Sequence, residues 1–429
     1  MSAADTAEPD EPIRTKAGLL LIDTLGCIIA GRAAQQVRDT ETVFAAVDPG
    51  PFRFPGGAGL ALHPAASIAA MASAWDEACE GLPYAHGRPG LALVGALLPL
   101  AVIRRASVGQ LLRALQVGYE VGARAGGWLR IRPGMHVDGN WPAIGVAAGV
   151  AHLLGEPPDR IWQAINIAGC QLPTSLYAPI RTGDMARNTY LSHCAVLGLL
   201  AACSAAGGLT APDDALAQYA THHASPVDTA VPTADHSFLL EAYFKPHACV
   251  RHAHYGLEAA MLLRERIGGD LDGIEAIGLE VYEEAATYAG NRAPAAPLTG
   301  QFSLSLAVAA GLRFGSMGPE IYHPERFEDQ RLREFERMVQ ISTRPELGAG
   351  GRRAAALTIH HHGRVLTEQV DSVAGGPERP LSRAFLIDKF VRYSAAACTI
   401  GQAHAFASAL LDGQSSQDFA QLWSGLQQA

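Results

Sequence analysis

A long run of alanine-, leucine- and glycine-rich segments between Ile13 and Leu263 constrains the fold of this chain most strongly. Apolar residues recur there at helical spacing, Gly and Pro separate the segments, and alternating patterns are almost absent. Small residues within the segments, such as Gly145 and Gly149, let neighbouring helices approach closely. We therefore expect a tightly packed bundle, with its clearest helices at residues 17–30, 107–123, 142–154, 160–168 and 190–206.

The sequence pattern changes after Gly268. Residues 274–282 alternate between apolar and polar side chains like a half-buried strand, and residues 354–360 predict a second strand. Between them, a helix is predicted from Ser303 and a charged helix over 324–338. This region therefore has the pattern of an α+β domain.

The last predicted helical region, 384–411, resembles the N-terminal region in composition. The chain therefore returns to the helical bundle after the α+β region. We predict a mainly α fold with an α+β second domain. The all-helical domain comprises residues 1–265 and 384–429, and the inserted α+β domain comprises residues 266–383.

The low charge content predicts extensive burial. Only 17% of the 429 residues are charged and 48% are hydrophobic, whereas about 25% are charged in typical globular proteins. A large helical core and a subunit interface would hide this much apolar surface. We therefore expect a homodimer.

Two classes of partner are disfavoured by charge and hydropathy. The formal net charge is −9 and the isoelectric point is near 6.0, so there is no basic footprint for nucleic acid. The longest apolar run, 91–103, is shorter than the ~20 residues that a membrane helix needs. The sequence therefore predicts neither nucleic-acid binding nor a membrane segment.

The cysteines and the N-terminus predict a cytoplasmic location. The seven cysteines include no Cys-x-x-Cys pair, which is typical of reduced thiols in the cytosol. Residues 1–11 are acidic and lack both the positive start and the apolar core of a signal peptide.

The segment 244–254 concentrates one lysine, one arginine and three histidines in eleven residues. Imidazoles transfer protons near neutral pH, and Lys and Arg side chains bind carboxylates. The segment therefore indicates acid–base chemistry on an anion, although a solvated loop is an equally good interpretation of these residues alone. Its candidate side chains are Lys245, His247, Arg251, His252 and His254.

Other kinds of site are less well supported. The histidines at 252, 254 and 360–362 lack the helical spacing and the nearby carboxylate of a metal site, so we predict no metal and an exposed turn at 360–362. Neither a Gly-x-Ser-x-Gly elbow nor a nucleotide-binding glycine motif is present, and no cofactor is expected. Cys249 beside the histidines permits only a weak case for a thiol nucleophile.

Four segments, in order along the chain, form a recognisable pattern. They are 19–31, with the sequence LLLIDTLGCIIAG; Trp75-Asp76 through His86 to Pro89-Gly90; Gly134-Met135-His136 followed by Ala143-Ile144-Gly145; and 245–254. Together these segments resemble the MmgE/PrpD family. The resemblance implies an all-α domain built from both chain ends with an α+β lid. It also implies dehydration, decarboxylation or epimerisation of small polycarboxylates without a cofactor.

Such reactions need cations for the carboxylates and a group that moves a proton. Together with the resemblance, this implies that Arg187 and Lys245 hold carboxylates, and that His136 moves the proton beside one of them. Asp76 and His86 are expected to act on the opposite face of the substrate. Further candidates are Tyr288 as a proton donor, and Arg251, His247, His252 and His254 as binding residues.

Three positions depart from the family pattern. Gly87-Arg88 separates His86 from Pro89, where the family commonly has His directly before Pro. Arg187 stands where relatives carry a lysine, and an arginine stays protonated, so it clamps carboxylates rather than acting as a base. Val250 occupies the position of a histidine in the decarboxylase, which disfavours decarboxylation.

The leading hypothesis is a cytoplasmic hydro-lyase that acts on a small di- or tricarboxylate at a cleft between the two domains. An epimerase or decarboxylase that shares the same first intermediate is the alternative within enzymes. A non-catalytic binding protein on the same scaffold is the alternative outside them.

Overall fold

The helices of the N-terminal half enclose the main hydrophobic core. The computed structural model describes residues 10–225, 232–233 and 235–427, so most of the acidic start, residues 1–9, lies outside the described part. The helices of this half are α1 (Glu11–Gly31), α2 (Gln35–Val47), α3 (Leu62–Ser73), α4 (Pro89–Arg104), α5 (Val108–Trp128), α6 (Pro142–Leu153), α7 (Pro158–Gly169), α8 (Ala178–Thr182), α9 (Tyr190–Ala206) and α10 (Ala215–His223).

Helix α6 lies at the centre of this bundle and packs on α4, α5, α7 and α9. Its small residues permit the contact with α5, because a Cβ atom on Gly145 would lie only 2.6 Å from the Gly118 carbonyl oxygen. A side chain at either position would separate the two helices. The predicted role of small residues in close helix packing is therefore seen directly at this crossing.

Short antiparallel strand pairs connect the loops of the helical part by backbone hydrogen bonds. They are β1 (Phe52–Arg53) with β2 (Gly59–Leu60), β3 (Arg130–Ile131) with β6 (Ala224–Ser225), and β4 (Met135–His136) with β5 (Ser175–Leu176). The β3–β6 and β4–β5 pairs hold the loop that carries the candidate residue His136.

A four-stranded sheet with helices follows. Its order is β10-β9-β7-β8, with β8 parallel to β7 and the other neighbours antiparallel. The elements are α11 (His254–Arg266), β7 (Ile274–Val281), α12 (Glu283–Ala289), α13 (Pro297–Gln301), α14 (Leu304–Phe314), α15 (Pro324–Phe327), α16 (Gln330–Met338), β8 (Val339–Thr343), β9 (Ala355–His361) and β10 (Arg364–Val370).

Helix α11 packs on β9, β10 and α14. The predicted boundary at residue 265 placed this helix with the bundle, whereas its contacts lie with the sheet.

The C-terminal helices return to the beginning of the chain, where α17 packs against α1. The ammonium of Lys389 lies 2.6 Å from the Asp23 carboxylate, and both side chains are buried. The helices are α17 (Arg383–Ser394), α18 (Ile400–Asp412) and α19 (Phe419–Gly425). The predicted fold class, mainly α with an α+β region, is confirmed.

One stretch in the described part of the chain, Met185–Ala206, is long and apolar enough to cross a membrane. Two further helices are long and apolar enough only when taken together, and a bend of 89° separates them. They are Glu11–Gly31 and Gln35–Val47. More than half of the apolar window in Met185–Ala206 is buried inside the protein, as in a core helix.

Candidate active site

A cavity of about 310 Å³ lies between the helical part and the α+β part. The loops after α3, β3 and β4 line one side, and residues from α12, from the segment directly after α13 and from the segment before β9 line the other. Seven of the ten predicted site residues contribute to its wall, namely His86, His136, Arg187, Lys245, Arg251, His252 and Tyr288. Asp76, His247 and His254 are not among the lining residues.

Glu77 is the centre of a buried charge network at the floor of the cavity. Its Oε2 atom lies 2.7 Å from Arg88 Nη1 and 2.5 Å from Arg187 Nη2, and its Oε1 atom lies 2.7 Å from Lys245 Nζ. Burial alone would raise the pKa of Glu77, but these three cations hold it well below its usual value. Glu77 is therefore a permanent carboxylate that fixes the three cations in place.

The carboxylate that lines the cavity is that of Glu77, whereas the predicted residue Asp76, next to it in the chain, is not among the lining residues. Glu77 has a left-handed backbone conformation, with φ of 52°, which is rare for a residue other than glycine and is common at functional sites. Asp76 lies outside the cavity wall, where burial raises its pKa to about 6 against the opposing effect of His323. The predicted role of Asp76 is therefore better suited to Glu77.

His136 is held by Asp138, two residues further along the chain. The backbone N–H of Asp138 donates to His136 Nδ1 over 3.1 Å, and Asp138 Oδ2 lies 3.7 Å from the same nitrogen. Burial lowers the pKa of His136 to about 4; Asp138 opposes this effect and Arg187 adds to it. The imidazole is consequently neutral at pH 7, and a small turn would let Nδ1–H donate to the Asp138 carboxylate and leave Nε2 as a proton acceptor.

No sequence pattern predicts the pairing between Asp138 and Arg88. Arg88 binds Asp138 through Nε and Nη2, in a buried ion pair that also joins Arg88 to Glu77. Arg88 stands directly before Pro89, the position at which the family commonly has a histidine. The departure from the family motif thus coincides with a residue of the cavity wall, although its partners became visible only in the structure.

Aromatic rings form the wall around His252. His252 Nδ1 lies 2.5 Å from the Tyr282 hydroxyl, and its ring stacks on Tyr288 at 6.2 Å. Tyr288 in turn contacts Tyr177, whose ring also stacks on His136. Burial, followed by the charge of Arg353, lowers the pKa of His252 to about 3. His136 and His252 are therefore connected by a continuous aromatic wall.

The mouth of the cavity carries further cations that the sequence analysis did not identify. Arg353 lies 3.5 Å from Glu284, and Arg130 Nη1 is buried without a hydrogen-bond partner among the described residues. His86 lies nearby at the partly open side of the cavity, where desolvation and the charge of Arg130 lower its pKa to about 4. Arg130 and Arg353 come from distant segments with no motif, so only the tertiary fold could reveal them.

The remaining residues of the cationic segment have mainly structural contacts. Arg251 donates to the backbone carbonyls of Ala374 and Val373, although one face of its side chain lines the cavity. The rings of His247 and His254 lie 5.6 Å apart at an angle of 56°. The structure does not bring these two histidines into the cavity wall.

The charge balance of the wall favours an anionic ligand. Among the described residues, seven Lys or Arg side chains and three carboxylates line the cavity. Arg187 Nε is a buried donor without a partner in that part of the chain, and two of the three ammonium hydrogens of Lys245 are taken by Glu77. Buried donors without acceptors are costly, and a ligand with two or more carboxylates would supply the acceptors.

The described part of the chain contains one group of three side chains that could converge on a metal ion, Asp270, His361 and His362. This group is separate from the cavity wall. The positive charge at the cavity is therefore supplied by Lys and Arg side chains.

Comparison with protein families covers nearly the whole chain. Residues 2–224 match the MmgE/PrpD N-terminal domain and residues 247–414 match the MmgE/PrpD C-terminal domain. A search of curated proteins finds no match. The two matched regions meet at the cavity, since His136 and Arg187 belong to the first and His252 and Tyr288 to the second. The chain belongs to the MmgE/PrpD family.

Proposed function

We propose that the protein is a cytoplasmic, cofactor-free hydro-lyase that dehydrates a small di- or tricarboxylate. Membership of the MmgE/PrpD family supports a dehydratase-like function in general. The observation that carries the finer proposal is the excess of cations over carboxylates in the cavity wall, next to two neutral histidines. Cations hold and activate the carboxylates, and a neutral imidazole can accept a proton.

In this proposal, the substrate binds by two ends. One carboxylate accepts hydrogen bonds from Arg187 Nε and from the third hydrogen of Lys245 Nζ, which has no partner among the described residues. A second carboxylate binds Arg130 and Arg353 at the mouth. The fixed cations also stabilise the enolate that forms when the neighbouring carbon loses its proton.

His136 removes the proton from the carbon beside the first carboxylate. It does so at Nε2 after the ring turns away from the Asp138 N–H, so that Nδ1 carries the hydrogen and donates to the Asp138 carboxylate, whose Oδ2 lies 3.7 Å away before the turn. The double bond forms as the hydroxyl leaves the next carbon, and the hydroxyl takes up a proton to depart as water. Tyr288 is the donor on the wall for that step.

Epimerisation is the second candidate, and His252 is the observation that favours it. This imidazole belongs to the aromatic wall and is backed by the Tyr282 hydroxyl. An epimerase needs one group that removes a proton and another that returns it from the opposite side. Loss of a hydroxyl distinguishes dehydration from this reaction.

The test is proton NMR of chelator-treated protein in D2O with hydroxylated and amino-substituted di- and tricarboxylates. Dehydration gives an alkene signal. Epimerisation gives deuterium at the carbon beside a carboxylate without loss of the substituent. We expect His136→Ala to abolish the reaction and His193→Ala, which changes an exposed histidine on α9, to leave it intact. A folded protein that converts no acid of the panel would contradict the proposal and favour a binding protein.

A further inference from the structure

At the end of the four-stranded sheet that is away from the cavity, three side chains that could bind a metal ion lie close together. The β9–β10 turn, with His361 and His362, meets the loop between α11 and β7, which carries Asp270. Strand β7 has eight residues, so this end lies about 25 Å from the end that leads to the cavity. The group is thus independent of the proposed catalysis.

The distances fit a small metal ion. Asp270 Oδ2 lies 2.8 Å from His362 Nε2 and 3.4 Å from His361 Nε2, and the three ligand atoms all lie within 4.8 Å of one another. Ligands at about 2.0–2.1 Å in tetrahedral geometry are about 3.3 Å apart. Shifts of less than about 1.5 Å would therefore complete the coordination.

The backbone holds the two imidazoles in this convergent arrangement. His362 has a left-handed conformation with φ of 48°, and its N–H donates to the Gly273 carbonyl. A Cβ atom on Gly273 would lie 2.4 Å from His362 Nε2 and 2.8 Å from His361 Nε2. Both ring nitrogens therefore reach over the same glycine, where a side chain would exclude them.

We propose that Asp270, His361 and His362 bind a divalent transition-metal ion of the zinc type. Two imidazoles and a carboxylate suit zinc, whereas magnesium and calcium prefer oxygen ligands only. Three protein ligands leave a fourth position for water. The ion would tie the α11–β7 loop to the β9–β10 hairpin, and so stabilise the sheet that carries one wall of the cavity.

The test is calorimetric titration of chelator-treated full-length protein with zinc sulfate. We expect one equivalent to bind and the affinity to fall at least about tenfold in both His362→Gln and Asp270→Asn. The matched control is His360→Gln, since His360 precedes His361 on β9 and so points to the other face of the strand. This variant should bind zinc as the unchanged protein does.

Thermal unfolding provides the second measurement. Zinc should raise the melting temperature of the unchanged protein and of His360→Gln, but not that of His362→Gln or Asp270→Asn. Absence of zinc binding to the unchanged protein would overturn the proposal. Equal zinc affinity in the folded Asp270→Asn and His362→Gln variants would also overturn it, because the ion would then bind elsewhere.

Discussion

At the scale of single residues, Glu77 controls the arrangement of the site because three cations share its carboxylate. We predict that Glu77→Gln lowers the free energy of unfolding by about 3–5 kcal/mol, since Arg88, Arg187 and Lys245 lose their buried counter-ion. Turnover of the substrate should fall about 100-fold or more, because the carboxylate clamps are no longer fixed. Urea unfolding and initial rates measure the two effects.

Asp76→Asn is the matched control, because it changes the neighbouring carboxyl group, which does not line the cavity. Its effect on turnover should be much smaller than that of Glu77→Gln. An equal loss of turnover in both variants would contradict the role that we assign to Glu77.

Glu80 gives a prediction with a defined pH dependence. It is fully buried, accepts hydrogen bonds from Gly90 N–H and the Tyr119 hydroxyl, and burial raises its pKa to about 7. The folded state therefore binds this proton more tightly than the unfolded state, and folding stability is lost as the pH rises from about 4.5 to about 7. Glu80→Gln should stabilise the protein by about 1–3 kcal/mol at pH 8 and have little effect at pH 4.5.

Urea unfolding of the Glu80→Gln variant and the unchanged protein at pH 4.5 and pH 8 provides the measurement. A stabilisation of the same size at both pH values would show that packing, and not ionisation, causes the effect.

The sequence alone could not show which of the two neighbouring carboxylates, Asp76 or Glu77, faces the cavity. Both are acidic residues in one loop, and a loop has no periodicity that assigns side chains to faces. The left-handed conformation of Glu77 decides which carboxylate enters the cavity. Candidate residues in motifs, such as His136 and Lys245, were found from the sequence, whereas Arg130 and Arg353 needed the tertiary fold.

At the scale of secondary structure, strongly periodic elements were predicted well. The helix at 190–206 is α9, and the strands predicted at 274–282 and 354–360 match β7 and β9 within one residue at either end. The charged helix predicted over 324–338 is two helices, because Asp329 caps the second one by accepting from the Leu332 N–H. Strand β8 was missed because it has only five residues, and the short alternation of Val339 and Ile341 with polar neighbours directly follows a charged helix.

Helix α17 links three parts of the chain through Lys389. Its buried ammonium donates to the Asp23 carboxylate and to the carbonyls of Ala78 and Lys245, over 2.6, 2.6 and 3.0 Å. It therefore positions the loops that carry Glu77 and Lys245. We predict that Lys389→Met destabilises the protein by about 3–5 kcal/mol, because Asp23 becomes a buried charge without a partner.

Chemical unfolding measures this loss, and Arg392→Met on the exposed face of the same helix should stay within about 0.5 kcal/mol of the unchanged protein. Asp23→Asn combined with Lys389→Met should be less destabilising than the sum of the two single changes. Additive losses would show that the Asp23–Lys389 pair does not couple α17 to α1.

At the scale of the whole molecule, charged side chains from two parts of the chain line the cavity. Substrate binding is therefore coupled to the protonation of the histidines there. In the free protein, burial lowers the pKa of His136 to about 4 and that of His252 to about 3, with Arg187 and Arg353 adding to the effect. A bound polycarboxylate neutralises these cations. The pKa of each imidazole should therefore rise in the complex, because the negative charge of the ligand favours the protonated ring while burial still opposes it.

This rise in pKa determines how the affinity for the substrate depends on pH. Since the complex holds protons more tightly than the free protein, binding at pH 6 takes up protons, and the affinity for the substrate increases as the pH falls from about 7 to about 5. Titration calorimetry at pH 6 in two buffers with different ionisation enthalpies measures the uptake directly. His252→Gln should remove part of the uptake and His193→Gln none of it. A heat of binding that is the same in both buffers would mean that the imidazoles stay neutral in the complex, so that the cations bind the substrate without preparing either histidine for proton transfer.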